Sequence, residues 1–325
     1  MRRSASEKME IIRIVQDSEL GVKRTLDELG ISRSTFYEWY RRYLVEGFDG
    51  LKPKIPARSI FWNKIPEKEK QKVVETALDM TELSPRELAF HITDKQGWFI
   101  SESSVYRILK ERGLITSPAW IVMAAADEFK DKTVRVHQQW QTDFTYFKII
   151  GWGWYYLATI MDDYSRYIID WELCTNMEST DAMKIVEKAL QTSGLKENNR
   201  PRLLSDNGSC YVSNEFQKFI SDKHMGHVRG APYHPQTQGK IERYHRTMKN
   251  VVKLENYFFP DELGASIEAF VNYYNNQRYH ESLKNVTPAD VYFGRAKELI
   301  HQRIETKKKT IKERRKKNQK IKLSA

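Results

Sequence analysis

The sequence predicts a multidomain protein: two amino-terminal all-α units, then an α/β core built on a mixed five-stranded sheet. Three observations carry this prediction. The chain has 325 residues, more than one hydrophobic core commonly organises at about 100–200 residues per domain. Up to about residue 115 the apolar residues recur at helical spacing, whereas from Gln138 they form β-branched and aromatic runs. Between the first two helical stretches, residues 51–66 (LKPKIPARSIFWNKIP) carry three prolines and read as a linker.

Composition narrows the class further. Hydrophobic residues make up 40% and charged residues 30%, enough apolar material for packed cores, which excludes wholesale disorder. No apolar run approaches the roughly 20 residues of a membrane span, and MRRSASEKME lacks the apolar stretch of a signal peptide. Two cysteines, Cys174 and Cys210, cannot build a disulfide framework and are not spaced as a zinc site. No membrane partner and a reducing, cytoplasmic setting are therefore expected. The net charge of +11 points to a polyanionic partner.

Residues 1–50 read as three short helices. SEKMEIIRIVQ places Met9, Ile12 and Val15 at helical spacing, and GVKRTLDELG stops at Gly30. SRSTFYEWYRRYLVEG opens at Ser32 or Ser34, both good N-cap types, and ends near Gly47. Two helices joined by a short turn at 30–32 make a helix-turn-helix. Its last helix offers Arg33, Ser34, Thr35, Tyr37, Glu38 and Arg41 to a DNA groove, with Phe36, Trp39, Tyr40 and Tyr43 turned partly inward. A generic three-helix bundle would show the same apolar spacing.

Residues 67–115 read as a second helix-turn-helix. EKEKQKVVETALDM is one helix. SPRELAFHITDKQ is another, with Ser84 as N-cap, Pro85 in the first turn and Glu87 at the capping-box position. WFISESSVYRILKERGLI is a turn and a third helix ending at Gly113, which would present Ser103, Ser104, Arg107 and Lys110. Two such units in tandem suit an extended, asymmetric DNA site. Residues 116–135 are a second linker.

The core is expected over 136–294. QWQTDFTYFKII, GWYYLATIMDD and RYIIDWELC read as three consecutive antiparallel strands, punctuated by Gly151, Gly153 and the turn at 162–165. A helix over 179–194, a fourth strand in PRLLSDNGSC, a helix in NEFQKFISDKHM and a short fifth strand in GHVRGAP follow. TQGKIERYHRTMKNVVKL and ELGASIEAFVNYYNNQ are two further helices, and RGAPYHPQTQG before them lacks periodicity and reads as a loop. The tryptophans Trp140, Trp152, Trp154 and Trp171 are expected to pack. This order of elements resembles a ribonuclease-H-like α/β core.

The net charge is concentrated at one end. Residues 295–325 hold 13 basic and 3 acidic residues, so this basic tail carries +10 of the total +11. With few apolar anchors it is expected to be disordered or a solitary solvated helix, adding sequence-independent affinity for phosphate. A solubility tail is the plainer alternative.

Three carboxylates stand out by position. Asp143 lies inside the first strand between Phe144 and Thr142, where Asp is disfavoured and its burial must be offset by some role. Asp206 closes the fourth strand in LLSDNG, and Glu242 lies one turn into the helix that follows Gly239. If the first and fourth strands are neighbours, both Asp side chains reach one sheet edge, and a helix crossing it adds the Glu. Converging carboxylates repel unless they hold cations, and hard oxygen ligands suit Mg²⁺ or Mn²⁺. Two such ions about 3.5–4 Å apart are a known device of phosphodiester chemistry. Singly, each residue has a plainer reading, as a strand terminator or a helix-dipole partner. Asp162 and Asp163 read as turn formers, and His224, His227 and His234 show no ligand spacing.

With 62 residues between Asp143 and Asp206 and 35 between Asp206 and Glu242, the pattern resembles the acidic triad of the retroviral-integrase-like (DDE) transposases of bacterial insertion sequences. HPQTQGKIERYHRTMK resembles that family's stretch around its glutamate, with Lys249 seven residues after Glu242, and YYNNQRYHESLKNVTPADVYFG resembles the segment that closes its core. The resemblance spans residues 5–294. It implies a polynucleotidyl transferase that binds transposon terminal repeats and target DNA, with Asp143, Asp206 and Glu242 holding two Mg²⁺ or Mn²⁺ ions. It also implies a homo-oligomer of at least two protomers, working on the bacterial nucleoid. Retroviral integrases carry an amino-terminal His/Cys zinc unit and this chain does not, so no structural zinc is expected.

Glu242, His245, Arg246 and Lys249 fall at i, i+3, i+4 and i+7 and share a helix face. Arg246 and Lys249 are expected to reach phosphates, or else simply to balance Glu242. His245 could move a proton, touch phosphate or be a hydrogen-bonded structural residue. Gly208 either permits a positive φ or ends the strand. Two rivals share much of the pattern, a nuclease of the same fold that only hydrolyses and a DNA-binding regulator on a retired core.

Overall fold

The computed structural model describes residues 4–18, 20–52, 61–115, 132–230, 238–253 and 257–324. Most of the expected second linker and of the loop before Glu242 lie outside the described residues. The chain divides into two compact units, residues 1–64 with 318–325, and residues 65–317.

The first unit contains α1 (Ala5–Asp17), α2 (Val22–Glu28) and α3 (Arg33–Glu46). Ser4 and Glu7 close a capping box on α1, and Ser32, rather than Ser34, caps α3 by accepting from the Thr35 N–H. Gly30 makes the turn between α2 and α3 at φ +63°, a conformation that L side chains rarely adopt. Ile12, Val15, Leu26, Ile31, Phe36 and Leu51 form the core. Gly50 lets the chain cross α3 closely, since a Cβ there would sit 2.4 Å from the Arg42 carbonyl oxygen.

The second unit opens with α4 (Glu67–Asp79), α5 (Pro85–Lys95) and α6 (Glu102–Glu111). Ser84 and Glu87 form the expected capping box, and Ser101 caps α6. Val73, Leu88, Ile92, Ile100, Val105, Ile108 and Leu109 bury the apolar faces of all three helices.

The sheet that follows has five strands, β1 (Gln139–Ile149), β2 (Gly153–Asp162), β3 (Ile168–Cys174), β4 (Arg202–Ser205) and β5 (His227–Arg229), in the order β3-β2-β1-β4-β5. The first three pair antiparallel, and β4 and β5 join in parallel, so the sheet is mixed as expected. Because side chains alternate along a strand, one face presents Trp140, Ala158 and Ile160 to α7 (Ser179–Ser193), α8 (Ser209–Val212) and α9 (Asn214–Asp222). The other presents Phe147, Ile149, Leu157 and Met161 to α10 (Gly239–Val252) and α11 (Pro260–Asn276). Trp140 is fully buried, a placement worth about 2 kcal/mol or more from apolar burial alone. Trp171 packs against the second face, but Trp152 and Trp154 are 56% and 52% exposed. These two sit around the β1–β2 turn, and Trp154 packs edge-on against the exposed Tyr146 instead of entering the core.

The short helix α12 (Pro288–Tyr292) leads into α13 (Ala296–Ser324), a 29-residue helix. The basic tail is therefore neither disordered nor solitary. Up to Lys317 it belongs to the second unit, where Arg303 pairs with Asp94 of α5 and Arg314 with Glu69 of α4. No described helix is long and apolar enough to cross a membrane.

Candidate active site and nucleic-acid interface

Strand pairing brings the chain segments of the two aspartates together. β1 and β4 are adjacent and parallel, with Gln139, Trp140 and Gln141 opposite Arg202, Leu203 and Leu204. The pairing ends at Gln141 and Leu204, two residues before Asp143 on β1 and two before Asp206, which directly follows β4. Asp143 is partly buried on the sheet face covered by α10, and Asp206 is exposed just beyond its strand. Both carboxylates act on the same buried neighbour: burial first, then Asp206 and, more weakly, Asp143 push the Cys210 thiol up to about 11.

Asp206 is held by its own turn. Its Oδ1 accepts the Gly208 N–H at 2.9 Å, and Asn207 donates to the Gly230 carbonyl at 2.9 Å. A Cβ on Gly208 would stand 3.0 Å from the same carboxylate oxygen. Gly208 has φ −57°, so it is not there for a positive φ, and a side chain in its place would crowd the Asp206 carboxylate.

The first turn of α10 is tied to β1 before Glu242 is reached. Gln141 accepts from the Ile241 N–H at 3.2 Å and donates to Asp163 at 2.6 Å. Lys240 binds the Asp163 carboxylate at 2.7 Å and its carbonyl at 2.8 Å. The buried Gln238 side chain reaches the Thr142 carbonyl at 3.3 Å and the Leu204 carbonyl at 3.4 Å, touching the strands of both aspartates. Asp162 is structural as expected, accepting from His137 N–H and from the Ser165 N–H and hydroxyl. Asp163 does more than form a turn, because it anchors the helix of Glu242. Sequence patterns missed Gln141, Asp163, Lys240 and Gln238; the one available signal was a pair of polar residues inside predicted apolar elements.

Glu242 is exposed at this edge. Burial and then the Asp143 carboxylate raise its carboxyl above the usual range, while Arg246 and His245 pull it down. His245 turns inward. It is 5% exposed, with Nδ1 3.2 Å from Asp143 Oδ2 and Nε2 3.2 Å from the Thr159 hydroxyl. A carboxylate only accepts, so Nδ1 donates to Asp143, and Nε2 shares a hydrogen bond with the Thr159 hydroxyl. Of the readings open for His245, the hydrogen-bonded structural one matches this geometry. Lys249 lies 4.4 Å over the Tyr146 ring, and its ammonium is lowered by burial, then by Lys253, against a raising effect of Asp143. Arg246 is exposed. The structure thus brings Asp143, Glu242, His245, Arg246 and Lys249 into mutual electrostatic reach, while Asp206 follows the neighbouring strand β4.

Among the described residues, no three His, Cys, Asp or Glu side chains form a group that could hold one metal ion. The Asp143 carboxylate raises the Glu242 carboxyl, against the lowering effect of Arg246, and His245 bonds Asp143. Carboxylate oxygens are the donor type that hard divalent ions take. His227 bonds Ser205, His224 is the left-handed residue after α9, and His234 lies outside the described residues.

Arg33, Ser34, Tyr37 and Arg41 are exposed on α3 and Thr35 is partly exposed, while Phe36 is buried. On α6, Ser103, Arg107 and Lys110 are exposed, and Ser104 is turned toward Ser101 and Arg107 in local hydrogen bonds.

Comparison with known proteins agrees with this architecture. Residues 133–235 and 223–288 match two Integrase core domain families, residues 7–59 a Helix-turn-helix domain, and residues 35–109 a Homeodomain-like domain. The Gag-Pro-Pol polyprotein of squirrel monkey retrovirus is 34% identical over 130 residues, 40% of this chain and 6% of that protein. The Intracisternal A-particle Pol-related polyprotein of mouse intracisternal a-particle MIA14 is 33% identical over 117 residues, 36% of this chain and 13% of that one. The chain therefore spans only a small part of these relatives. Among solved structures, the HTLV-2 integrase catalytic core domain in complex with magnesium aligns over 49% of this chain and 98% of its own at 21% identity, TM-score 0.40. The simian T-cell lymphotropic virus intasome in complex with PP2A regulatory subunit B56 gamma aligns over 68% and 74% at 18% identity, TM-score 0.44. The chain carries an integrase core domain, preceded by helix-turn-helix domains.

Proposed function

We propose that the protein is a DNA transposase that binds transposon ends, cleaves their 3′ ends and joins them to target DNA. The observation that supports this reading is the parallel pairing of β1, which carries Asp143, with β4, which Asp206 directly follows, together with the influence of Asp143 on the Glu242 carboxyl. Asp143 would be shared by two Mg²⁺ or Mn²⁺ ions, with Asp206 completing one set of ligands and Glu242 the other. Bound there, divalent ions supply Lewis-acid activation of an attacking water or 3′-hydroxyl and charge stabilisation of the leaving oxygen.

The protein's own residues set the geometry. His245 holds the Asp143 carboxylate through Nδ1–H, and the Lys240–Asp163 and Gln141 bonds fix the turn that carries Glu242. Arg246 and Lys249, on the same helix, are positioned to steady phosphates of the bound end. α3 and α6 read the terminal repeats, chiefly through Arg33, Ser34, Thr35, Tyr37, Arg41, Ser103, Ser104, Arg107 and Lys110. Two ends per reaction require at least two protomers. The place of action is the nucleoid of a bacterial cytoplasm.

The test is joining of a labelled end duplex to target DNA in Mg²⁺. Asp143→Asn, Asp206→Asn and Glu242→Gln keep the side-chain shape but remove the charge. Each is expected to lower cleavage and joining by at least a hundredfold while end binding persists. Near-wild-type joining by any one variant removes that residue from the site. Hydrolysis without joining in the wild type would make the protein a nuclease, and binding without either would make it a regulator.

A further inference from the structure

We propose that α13 is a fourth helix of the second DNA-binding unit, and that its outer face is a fixed row of cations for the phosphates flanking the duplex held by α6. This rests on the reading of α6 as a DNA-contacting helix. Three sets of observations support it.

The first is how α13 is attached. Arg303, Thr310 and Arg314 lie seven and then four residues apart, so they share one helix face. Arg303 grips the Asp94 carboxylate with two bonds, 2.7 and 2.6 Å, donates to the Asn285 carbonyl at 2.8 Å and lies 4.6 Å over the Phe90 ring. Arg314 donates to Glu69 at 2.8 Å and to the Phe99 carbonyl at 2.7 Å, and its side chain is only 4% exposed. Thr310 accepts from the Phe99 N–H at 2.9 Å. Buried arginines with both partners in place define one docked position, because any displacement leaves a buried charge unpaired. A flexible electrostatic tether would have no use for such a seam.

The second is where it is attached. Phe99 lies in the turn between α5 and α6, two residues before the Ser101 N-cap of α6. In a helix-turn-helix the amino-terminal end of the second helix approaches the groove. α13 is therefore held at a fixed distance from the residues expected to touch DNA, and Lys307 itself sits 5.0 Å over the Phe99 ring.

The third is what the other face displays. Lys308, Lys309, Lys312, Arg315 and Lys316 are all exposed, and they outnumber the exposed acids Glu305 and Glu313 on that stretch. Like charges four residues apart, as at 308, 312 and 316, disfavour an isolated helix. A polyanion alongside would reverse that penalty. Continuity with the helix-turn-helix makes duplex DNA the occupant in place of a membrane surface or an acidic protein.

The experiment measures binding of the full-length protein to end duplex and to random duplex across a salt series. Changing Lys308, Lys309, Lys312 and Lys316 together to Gln should weaken both by similar factors, of about tenfold or more. It should also flatten the salt slope by about 3–4, at about 0.9 for each phosphate no longer neutralised. Arg314→Met keeps every outer lysine but breaks the seam, and should weaken both duplexes by a comparable factor. The exchanged pair Glu69→Arg with Arg314→Glu should recover most of that affinity, which guards against simple misfolding.

Wild-type affinity in the outer-face variant overturns the proposal. So does wild-type affinity in Arg314→Met with α13 shown to be undocked by hydrogen exchange. Loss of self-association with unchanged DNA affinity would also overturn it, and would assign the row to a protein partner. Arg107→Ala separates the layers. If it leaves end preference untouched, the reading of α6 fails; if it abolishes preference while the lysine variant does nothing, only the α13 proposal fails.

Discussion

Asp163 and Lys240 show how far the candidate site depends on residues that take no part in chemistry. Their side chains are 8% and 23% exposed, and they meet at 2.7 Å across 77 residues of sequence. Lys240→Met would take the cation from the Asp163 carboxylate and leave it only neutral donors such as Gln141. Breaking a buried pair costs about 3–5 kcal/mol, and the partial exposure of Lys240 brings the expectation down to about 2 kcal/mol. Denaturant unfolding should show that destabilisation, and joining activity should fall because Glu242 lies two residues on, while end binding stays intact. Unchanged joining would mean that the first turn of α10 holds itself. The triad could be picked out from sequence because Asp143 breaks the composition rule of a strand and Asp206 sits at a strand end. Its supports could not, because Gln141 and Asp163 are ordinary polar residues whose partners are 22, 77 and 100 positions away. Gly208 stands out in the sequence as a turn glycine, yet at φ −57° its role is to clear space beside Asp206.

Elements with apolar periodicity were readable to within a few residues, as for α4, α5, β1 and β2, and their order alone implied the mixed sheet. α13 was not readable as a docked helix, because its seam is made of Arg303, Thr310 and Arg314 and hydrophobic spacing cannot reveal a polar contact. The segment between α11 and α12 holds a second feature hidden from pattern. His280 is partly buried, packs edge-on to Tyr274 and has a buried Nε2 without a hydrogen-bond partner among the described residues. Burial first, then Arg278 and Arg166, push its imidazole down to about 3. The folded state therefore holds it neutral, while the unfolded chain takes up a proton near pH 6.5. Stability from this group is fully present above pH 6.5 and is lost as the pH falls from there toward 3. His280→Phe should give a melting temperature less sensitive to acid over that window. An identical pH profile for wild type and variant would show that other groups set the acid limit.

For the whole molecule, the distribution of charge and the docking of α13 make one joint expectation. Residues 295–325 carry +10 of the net +11, yet Arg303 and Arg314 are spent on Asp94 and Glu69 and are not free for phosphate. Deleting residues 300–325 should therefore do two separable things. It removes the exposed lysines, which weakens binding to end and random duplex alike and flattens the salt dependence of both. It also uncovers two carboxylates that α13 had neutralised, which should lower the melting temperature of a protein whose triad is untouched. Asp143, Asp206 and Glu242 all precede the deletion, so joining at saturating DNA should persist. Comparing the truncation with the four-lysine variant isolates the seam: both lose salt-dependent affinity, and only the truncation should lose thermal stability. A truncated protein that melts like wild type would mean that Asp94 and Glu69 find water or other partners at no cost. One that kept random-duplex affinity but lost end preference would make α13 a reader of sequence.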